Sequence, residues 1–262
     1  VVFTLCTRFV QLRMVKEAFR VIREKPKTEG AVSSFGALMI STASRVGTGN
    51  IVGVAQAICL GGVGAVFWMW FIAVFGGASA FVESTLAQIY KRKNPDGSSY
   101  GGPSYYMETA LGQRWLGVLF AVFVILTYAV GYNMLASYNL QDAFSGFGFY
   151  AKSRTPYIIG AILAVLFAVC VLGGGKRLTD ITGVLVPVMG VLYILVSLIV
   201  IFMNIKIFPS VIANIFRDAF NFKAAFSGFT GSCIMWGIKR GLYSNEAGMG
   251  SAPNAAATAD VS

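Results

Sequence analysis

Six apolar stretches dominate this sequence of 262 residues, and they decide what it can fold into. A helix needs about 20 apolar residues to cross the ~30 Å hydrocarbon layer of a membrane. The stretches lie at residues 31–58, 64–90, 115–139, 157–173, 181–204 and 224–243. The fourth stretch is short, and glycines break the sixth. The sequence therefore predicts an all-α integral membrane protein with about six transmembrane helices.

The composition excludes most soluble classes of protein. Only 12% of the residues are charged, against roughly 25% in soluble domains, so neither a water-soluble globule nor a disordered chain is expected. The chain has no histidine, which is the commonest general base and the commonest zinc ligand. Four cysteines stand far apart in apolar runs and are interpreted as small buried residues with no metal or disulfide role, namely Cys6, Cys59, Cys170 and Cys233.

The basic residues predict the orientation in the membrane. If the N-terminus is cytoplasmic and six spans alternate, fifteen of the 21 Lys and Arg residues fall inside and five fall outside. Residues 3–24 form a basic amphipathic pattern that is typical of a helix in the headgroup plane. We therefore divide the chain into 1–30, an interfacial helix after the end of a preceding helix, and 31–262, a transmembrane domain. The loop at 91–114 predicts a short amphipathic helix at 103–111, and the loop at 204–223 is long enough for a helix along the membrane.

The first span contains the most informative interruption. An apolar helix reaches Arg45, meets the poor helix formers of residues 47–50, and then resumes. Unwound backbone at membrane depth is tolerated where it lines a cavity, and free amide and carbonyl groups there suit a carboxylate and a cation. A glycine notch for close helix packing is the alternative interpretation. Both interpretations stay open at this point.

A second candidate interruption lies in the sixth span, at residues 224–233. Glycine, serine and threonine again interrupt an apolar run. Two interrupted helices, first and sixth, are what an inverted repeat of five helices produces. A packing notch is the alternative here as well.

The distribution of acidic residues limits the chemistry of the first interruption. No Asp or Glu occurs between Ala31 and Val82, so we expect that a cation there uses neutral oxygens or the carboxylate of a bound zwitterionic substrate. Glu83 lies below the expected headgroup level and is either functional or held by a neighbouring helix end or by Arg45. Asn133, in the third span, either lines a cavity or bonds to another helix.

Four sequence blocks carry a resemblance to a known family. They are Arg45–Ile51, Gly61–Trp70, Gly101–Tyr106 and Arg240–Gly248. In order and spacing they resemble the alanine/glycine:cation symporter family, also called the sodium:alanine symporter family. The resemblance implies a leucine-transporter-like fold of two inverted five-helix repeats with discontinuous first and sixth core helices. It also implies that this chain is a fragment lacking the second repeat, so that 31–262 is a partial transporter domain.

The resemblance further implies an activity and a site. Family members move a small neutral amino acid, alanine or glycine, with sodium or in some cases a proton, by alternating access across the plasma (bacterial inner) membrane. The substrate-binding residues implied are Thr48, Gly49, Asn50, Asn133, Phe229, Gly231, Ser232 and Trp236. The cation-binding residues implied are Gly47, Thr48 and Asn50, facing an eighth core helix that this chain lacks. Sodium is the coupling ion, no other cofactor and no nucleic acid is expected, and the protein is expected to be a monomer in the lipid bilayer.

Two other classes of function compete with a symporter. A polytopic membrane enzyme would need a catalytic set, and no pair of acids or nucleophile–base set clusters on one face. A channel subunit would carry a filter or ring motif, and none is present in the sequence. Counterflow of labelled alanine separates the three classes, because carriers exchange solute, enzymes alter it and channels dissipate gradients.

Overall fold

The computed structural model describes residues 1–24, 32–95, 97–221 and 230–260. Within these ranges the regular secondary structure is helical apart from one hairpin and a single β-bridge, and turns and irregular segments connect the helices. The first elements are α1 (Val2–Cys6), α2 (Val10–Arg13), α3 (Val15–Ile22), α4 (Ser34–Arg45), α5 (Thr48–Gly61), α6 (Ala65–Ile89), β1 (Arg92–Lys93) and β2 (Ser99–Tyr100). They are followed by α7 (Pro103–Leu111), α8 (Arg114–Val124), a π segment (Ile125–Tyr132), α9 (Asn133–Asp142), α10 (Thr155–Val171), α11 (Gly174–Met203), α12 (Phe208–Ala219), α13 (Thr230–Asn245) and α14 (Ser251–Thr258).

Three helices among the described residues are long and apolar enough to cross a membrane. They are Ala65–Ile89, Arg114–Asp142 and Arg177–Met203, and they confirm the second, third and fifth predicted spans. The fourth predicted span is the shorter apolar helix Thr155–Val171. Most large apolar side chains on Arg114–Asp142, Thr155–Val171 and Arg177–Met203 are exposed. Such a broad exposed apolar surface is typical of a protein that lipid surrounds.

The N-terminal segment differs from the single amphipathic helix predicted at 3–24. It forms three short helices. Arg8 and Phe9, between α1 and α2, adopt left-handed backbone angles with φ of 51° and 55°, which an α-helix cannot include, and Met14, with ψ of 10°, separates α2 from α3. The prediction of one continuous helix is therefore wrong. Helix α2 packs against α6, where a Cβ atom at Gly77 would lie 3.5 Å from Cβ of Gln11. Helix α3 alone keeps the separation of charged and apolar faces.

Both polar connections contain helices where the sequence predicts them. Helix α7 has the predicted bounds, and α12 occupies the long loop at 204–223. The hairpin before α7 was not anticipated, because its strands are only two residues long. It pairs Arg92 with Tyr100 and Lys93 with Ser99. Arg92 also reaches Glu108 of α7 at 3.5 Å, which ties the hairpin to this helix.

Helix α13 packs tightly against α6 because glycines bring the two backbones together. A Cβ atom at Gly237 would lie 2.6 Å from the carbonyl oxygen of Ala65, and one at Gly241 would lie 3.1 Å from the Cα atom of Met69. Close approach through small residues is the usual way for membrane helices to associate. These glycines therefore fix the position of α13 on α6.

Helix α13 also runs antiparallel to α5. At one end, Gly49 lies against Tyr243. At the other end, Cys233 is buried with Ala57 in the main apolar cluster. The start of α13 at Thr230 therefore lies towards the end of α5, about 20 Å along the helix from Tyr243.

The cysteines only partly match their interpretation as buried residues. Cys233 is buried and Cys170 is half-buried, as expected for small core residues. Cys6 and Cys59 are exposed, so the prediction of burial is wrong for these two. Both lie in apolar runs whose surface faces away from the described protein, which sequence hydropathy alone does not distinguish from a core.

Helix α14 is held at its C-terminal end by α6 and by the residues before α4. Gln88 and Lys91 donate hydrogen bonds to the carbonyl oxygen of Ala259 at 3.1 and 2.9 Å, and the amide of Asp260 donates to Val32 at 3.0 Å. Burial lowers the pKa of the Lys91 ammonium, and its bond to a carbonyl after the helix end compensates part of that desolvation.

Candidate functional site

The first predicted interruption is present and is two residues long. Helix α4 ends at Arg45 and α5 begins at Thr48, with Val46 and Gly47 between them. The Asn50 side chain bridges the gap by donating to the carbonyl oxygen of Arg45 at 2.7 Å. The first turn of α5 leaves backbone N–H groups without helical partners, and the positive end of its dipole suits an anionic group.

A second interruption follows α13. Five residues, 246–250, separate Asn245 from the first residue of α14. Glu246, Gly248 and Gly250 have φ of 54°, 87° and 79°. Glycine adopts such left-handed angles readily, whereas a glutamate there is uncommon. The chain therefore makes a sharp turn at which only Glu246 carries a charge.

The predicted interruption at 224–233 stays a prediction over most of its length. Residues 222–229 lie outside the described residues, and Thr230 to Cys233 belong to the first turn of α13. Serine and glycine in that turn are compatible with a helix start, where backbone amides are free of helical partners in any case. The interruption that faces the first one comes later, because α13 runs antiparallel to α5 and brings its C-terminal end to the start of α5.

A cavity of about 350 Å³ lies where the two interruptions meet. It is lined by α4 and the first interruption, by the π segment and α9, and by the end of α13. Its residues are Ala43, Ser44, Arg45, Val46, Gly47, Gly49, Tyr128, Tyr132, Asn133, Ala136, Tyr243, Ser244 and Glu246. The volume falls at the lower end of the range typical of small-molecule sites.

The cavity contains a buried carboxylate that the sequence argument excluded. Glu246 is only 3% exposed, and its Oε2 atom accepts hydrogen bonds from Ser44 at 2.8 Å and Ser251 at 2.7 Å. Among the described residues, no lysine or arginine nitrogen comes within ion-pair distance of it. The absence of acidic residues from 31 to 82 therefore does not leave the first interruption without a carboxylate, because the fold supplies one from 202 positions away.

The π segment presents side chains that an α-helix would separate. Tyr128 and Asn133 both line the cavity, although residues five apart point about 140° away from each other on an α-helix. The wider π turn brings them to one face, and such segments are frequent at functional sites. The Tyr132 ring contacts the rings of Tyr128 at 4.8 Å and Tyr243 at 5.4 Å, so three tyrosines form one wall.

Several predicted site residues meet at the first interruption. Gly47, Gly49 and Asn133 line the cavity, and Thr48 is the first residue of α5. The Asn50 side chain is engaged within the protein, because its Oδ1 atom also accepts a hydrogen bond from Ser244. Both the Nδ2 and the Oδ1 atom of Asn50 therefore already have hydrogen-bond partners within the protein.

The two glycines at the first interruption have different environments, and each of the two interpretations, cavity and packing notch, finds support. A Cβ atom at Gly47 would have nothing within 4 Å, whereas one at Gly49 would lie 2.9 Å from Cε1 of Tyr243. Gly47 therefore opens on the cavity, and Gly49 permits close packing of α5 on α13 as well as lining the cavity.

The predicted residues of the sixth span do not join this group. Gly231 and Ser232 lie in the first turn of α13, far along that helix from the cavity. Trp236 is on α13 but does not line the cavity, and its ring is contacted by Lys239 and Arg240. Phe229 lies outside the described residues.

The residues that sequence reasoning missed come from the π segment, from the second interruption and from the helix ends beside the two interruptions. They are Ser44, Tyr128, Tyr132, Tyr243, Ser244, Glu246 and Ser251. The block at 240–248 carries the family resemblance, but none of these residues of the block was predicted to line the site. The pair of glycines after Glu246 was the available signal for a turn.

Glu83 lies beside the same second interruption. A Cβ atom at Gly248 would lie 3.9 Å from Oε1 of Glu83, so the carboxylate is next to the turn that precedes α14. This position is compatible with the interpretation that a neighbouring helix end holds Glu83, and a functional role for it stays a prediction. Its Oε2 atom is buried and lacks a hydrogen-bond partner among the described residues.

Comparison with known proteins gives a consistent result. The profile of the sodium:alanine symporter family matches residues 1–262. The chain is 49% identical over 262 residues to the "Probable sodium/glutamine symporter GlnT" of Bacillus subtilis, covering 99% of this chain and 54% of that protein. It is 48% identical over 261 residues to the amino-acid carrier protein AlsT of the same organism, covering 99% and 55%. It is 43% identical over 265 residues to the sodium/alanine symporter AgcS of Methanococcus maripaludis, covering 98% and 57%. The chain thus spans about half the length of the curated relatives it matches.

Proposed function

The chain belongs to the sodium:alanine symporter family, and we propose that it supplies the amino-acid-binding part of a secondary transporter. The transported solute in this proposal is a small neutral amino acid, alanine or glycine, and the coupling ion is sodium. The whole protein lies in the plasma (bacterial inner) membrane as a monomer with a cytoplasmic N-terminus, and it works by alternating access.

The observation that carries the proposal is the cavity between the two interruptions. The amino-acid carboxylate is placed at the free amides of the first turn of α5, beside Gly49, where the helix dipole favours negative charge. The ammonium group is placed on the carbonyl groups of the second interruption, at 246–250. Free backbone groups at opposed helix ends are the usual construction of such sites.

The size of the cavity supports a small solute. A volume of about 350 Å³ lies at the lower end of the range typical of small-molecule sites, and three tyrosines form one wall. This volume admits glutamine as well as alanine, and the named relatives include both a sodium/alanine and a probable sodium/glutamine symporter, so glutamine is the competing substrate. Alanine and glycine are the substrates that we propose, in keeping with the family whose profile matches the chain.

The coupling ion is placed next to the amino acid. Sodium takes oxygen ligands, and the backbone carbonyls around Gly47 and Thr48 at the end of α4 are the neutral oxygens available there. The carboxylate of the bound amino acid would complete the site, which would couple the two solutes directly. A proton is the alternative coupling ion, and the two are separated by imposing each gradient alone.

Uptake by the full-length protein in proteoliposomes tests this proposal. Radiolabelled alanine is expected to accumulate with an inward sodium gradient and not with a proton gradient alone. Unlabelled alanine and glycine should compete strongly and glutamine weakly. Alanine counterflow without a gradient should also occur, which distinguishes a carrier from a channel or an enzyme. Absence of alanine uptake and counterflow under every cation gradient would refute the proposal.

A further inference from the structure

The carboxylate of Glu246 joins the two interruptions. We propose that Glu246 is a positioning residue, which holds the end of α4 and the start of α14 in the arrangement that binds the amino acid. The inference rests on the proposed function for its ligand, but the contact between the two helices can be tested without any transport.

One oxygen atom makes both contacts. Ser44 lies in the last turn of α4 and Ser251 is the first residue of α14, and both hydroxyls donate to Oε2 of Glu246. Hydrogen bonds to a charged acceptor are roughly twice as strong as neutral ones. A carboxylate that is 3% exposed would also be costly to bury without donors. We call this arrangement the Ser44–Glu246–Ser251 clasp.

The backbone at Glu246 shows that its side chain is needed there. Its φ of 54° lies in the left-handed region, where glycine is the usual residue. Two of the next four residues, Gly248 and Gly250, are glycines with left-handed angles. A glutamate at such a position carries backbone strain of the kind that is found at functional sites. The clasp accounts for this strain, since no glycine could bind the two serines.

The clasp can act on a ligand through the backbone. Ser44 is three residues before Gly47, and the segment from Ser44 to Gly47 lines the cavity together with Gly49. A movement of Ser44 would therefore move the carbonyl groups at the end of α4 and the amides at the start of α5. Packed elements shift between discrete arrangements and transmit such displacements. Loss of the clasp should weaken binding more than it slows the transport step.

Kinetics of alanine uptake by full-length variants test this role. Ser44→Ala and Ser251→Ala should each raise the KM for alanine about tenfold, with maximal rates within about twofold of wild type. Ser197→Ala is the matched control, because its hydroxyl donates only to Tyr193 within α11, and Glu17→Gln is the control for an exposed carboxylate. Neither control should change KM.

A double-mutant comparison separates the clasp from independent effects. In a Glu246→Ala background, Ser44→Ala should change KM by less than about twofold, because its partner is already missing. If Glu246→Ala does not reach the membrane, the Ser44→Ala/Ser251→Ala pair replaces it and should be less than additive. Equal effects of Ser44→Ala with and without Glu246, full additivity of the pair, or an unchanged KM in both serine variants would each overturn the proposal.

Cross-linking tests the clasp independently of the solute. In full-length protein without its native cysteines, Ser44→Cys and Ser251→Cys should be joined by a short bifunctional thiol reagent in membranes, as detected by peptide mass mapping. A Ser197→Cys/Ser251→Cys pair should not be joined. If the wild-type protein transports no alanine, the proposed substrate is wrong, but the cross-link still tests the clasp. Formation of the cross-link supports the clasp, and its absence overturns it.

Discussion

The interruption between α4 and α5 is two residues long and has no acidic residue, whereas the one between α13 and α14 is five residues long and contains a buried glutamate. The first keeps ordinary backbone angles, with Gly47 extended, and the second has three left-handed residues. The first interruption therefore offers free backbone groups and open space. The second supplies charge and a fixed turn. A binding site needs open space with free backbone groups as well as a charged, fixed turn. The comparison shows that these two parts come from segments about 200 residues apart in the sequence.

The largest effect should come from filling the space at the first interruption. Gly47→Phe should reduce alanine uptake by about two orders of magnitude or more, because a packed wall cannot move away from the added ring. Its backbone is extended and a Cβ has nothing within 4 Å, so folding should be unaffected. Uptake and thermal unfolding of purified full-length protein check this. Gly47→Ala should keep most of the activity, and equal losses in both variants would contradict the cavity assignment.

At the second interruption the expected damage is to stability. Gly250→Ala places a Cβ 2.5 Å from Cζ of Phe120 at a φ of 79°, so the free energy of unfolding should fall by about 2–4 kcal/mol. Gly112→Ala is the matched control, because its φ is 66° and nothing lies within 4 Å. Gly112→Ala should cost about 1 kcal/mol. Thermal unfolding in detergent measures both, and an equal loss would mean that the contact with Phe120 is unimportant.

A smaller effect should separate the two roles of Gly49, which packs against Tyr243 and lines the cavity. Gly49→Ala brings a Cβ 2.9 Å from Tyr243, so the free energy of unfolding should fall by about 1–3 kcal/mol. The KM for alanine should rise because the tyrosine ring borders the cavity. Gly53→Ala on the same helix meets only Cδ of Arg240 at 3.8 Å and should stabilise by about 0.5–1 kcal/mol. The same sign of change in both variants would show that Gly49 is not a packing contact.

The smallest effect concerns the pH dependence of stability that Tyr106 of α7 causes. Burial, with a contribution from the Glu83 charge, raises the pKa of Tyr106 from 10.0 to about 12. The folded state therefore favours the neutral phenol, so its contribution is fully present below pH 10 and is lost as the pH rises to about 12. The midpoint of thermal unfolding should fall over this range, and less steeply in Tyr106→Phe. Parallel pH profiles for the two proteins would argue against a buried phenol.

How far the sequence predicts this molecule depends on the kind of signal. Apolar length gives three long spans, because crossing a bilayer needs a simple run of residues. The first interruption is visible because poor helix formers stand inside such a run. Glu246 was missed because a charged residue after an apolar helix is typical of an ordinary loop. Its left-handed angle and its contact with Ser44 depend on antiparallel packing of α13 on α5, which no local pattern encodes.

The N-terminal segment also shows that a local sequence pattern does not reveal left-handed residues. Its charge pattern correctly indicates an amphipathic helix at α3 but gives no sign of the turn at Arg8 and Phe9. Helical periodicity reports which side chains share a face, and it cannot report a single residue that leaves the helical region. Residues such as Arg8, Phe9 and Glu246 are therefore found only by structure.

The π segment has a consequence for where this membrane-spanning helix can lose a residue during evolution. A one-residue deletion within Ile125–Tyr132 could restore regular α-helical winding without breaking the span, so it would look harmless in a hydropathy plot. A deletion between Tyr128 and Asn133 would leave these two residues four apart, about 40° from each other on an α-helix, so both would stay on the face that lines the cavity. A deletion in an α-helical part of the span would instead rotate every later residue of the helix by about 100°. We therefore expect this span to tolerate a one-residue deletion better in the π segment than elsewhere.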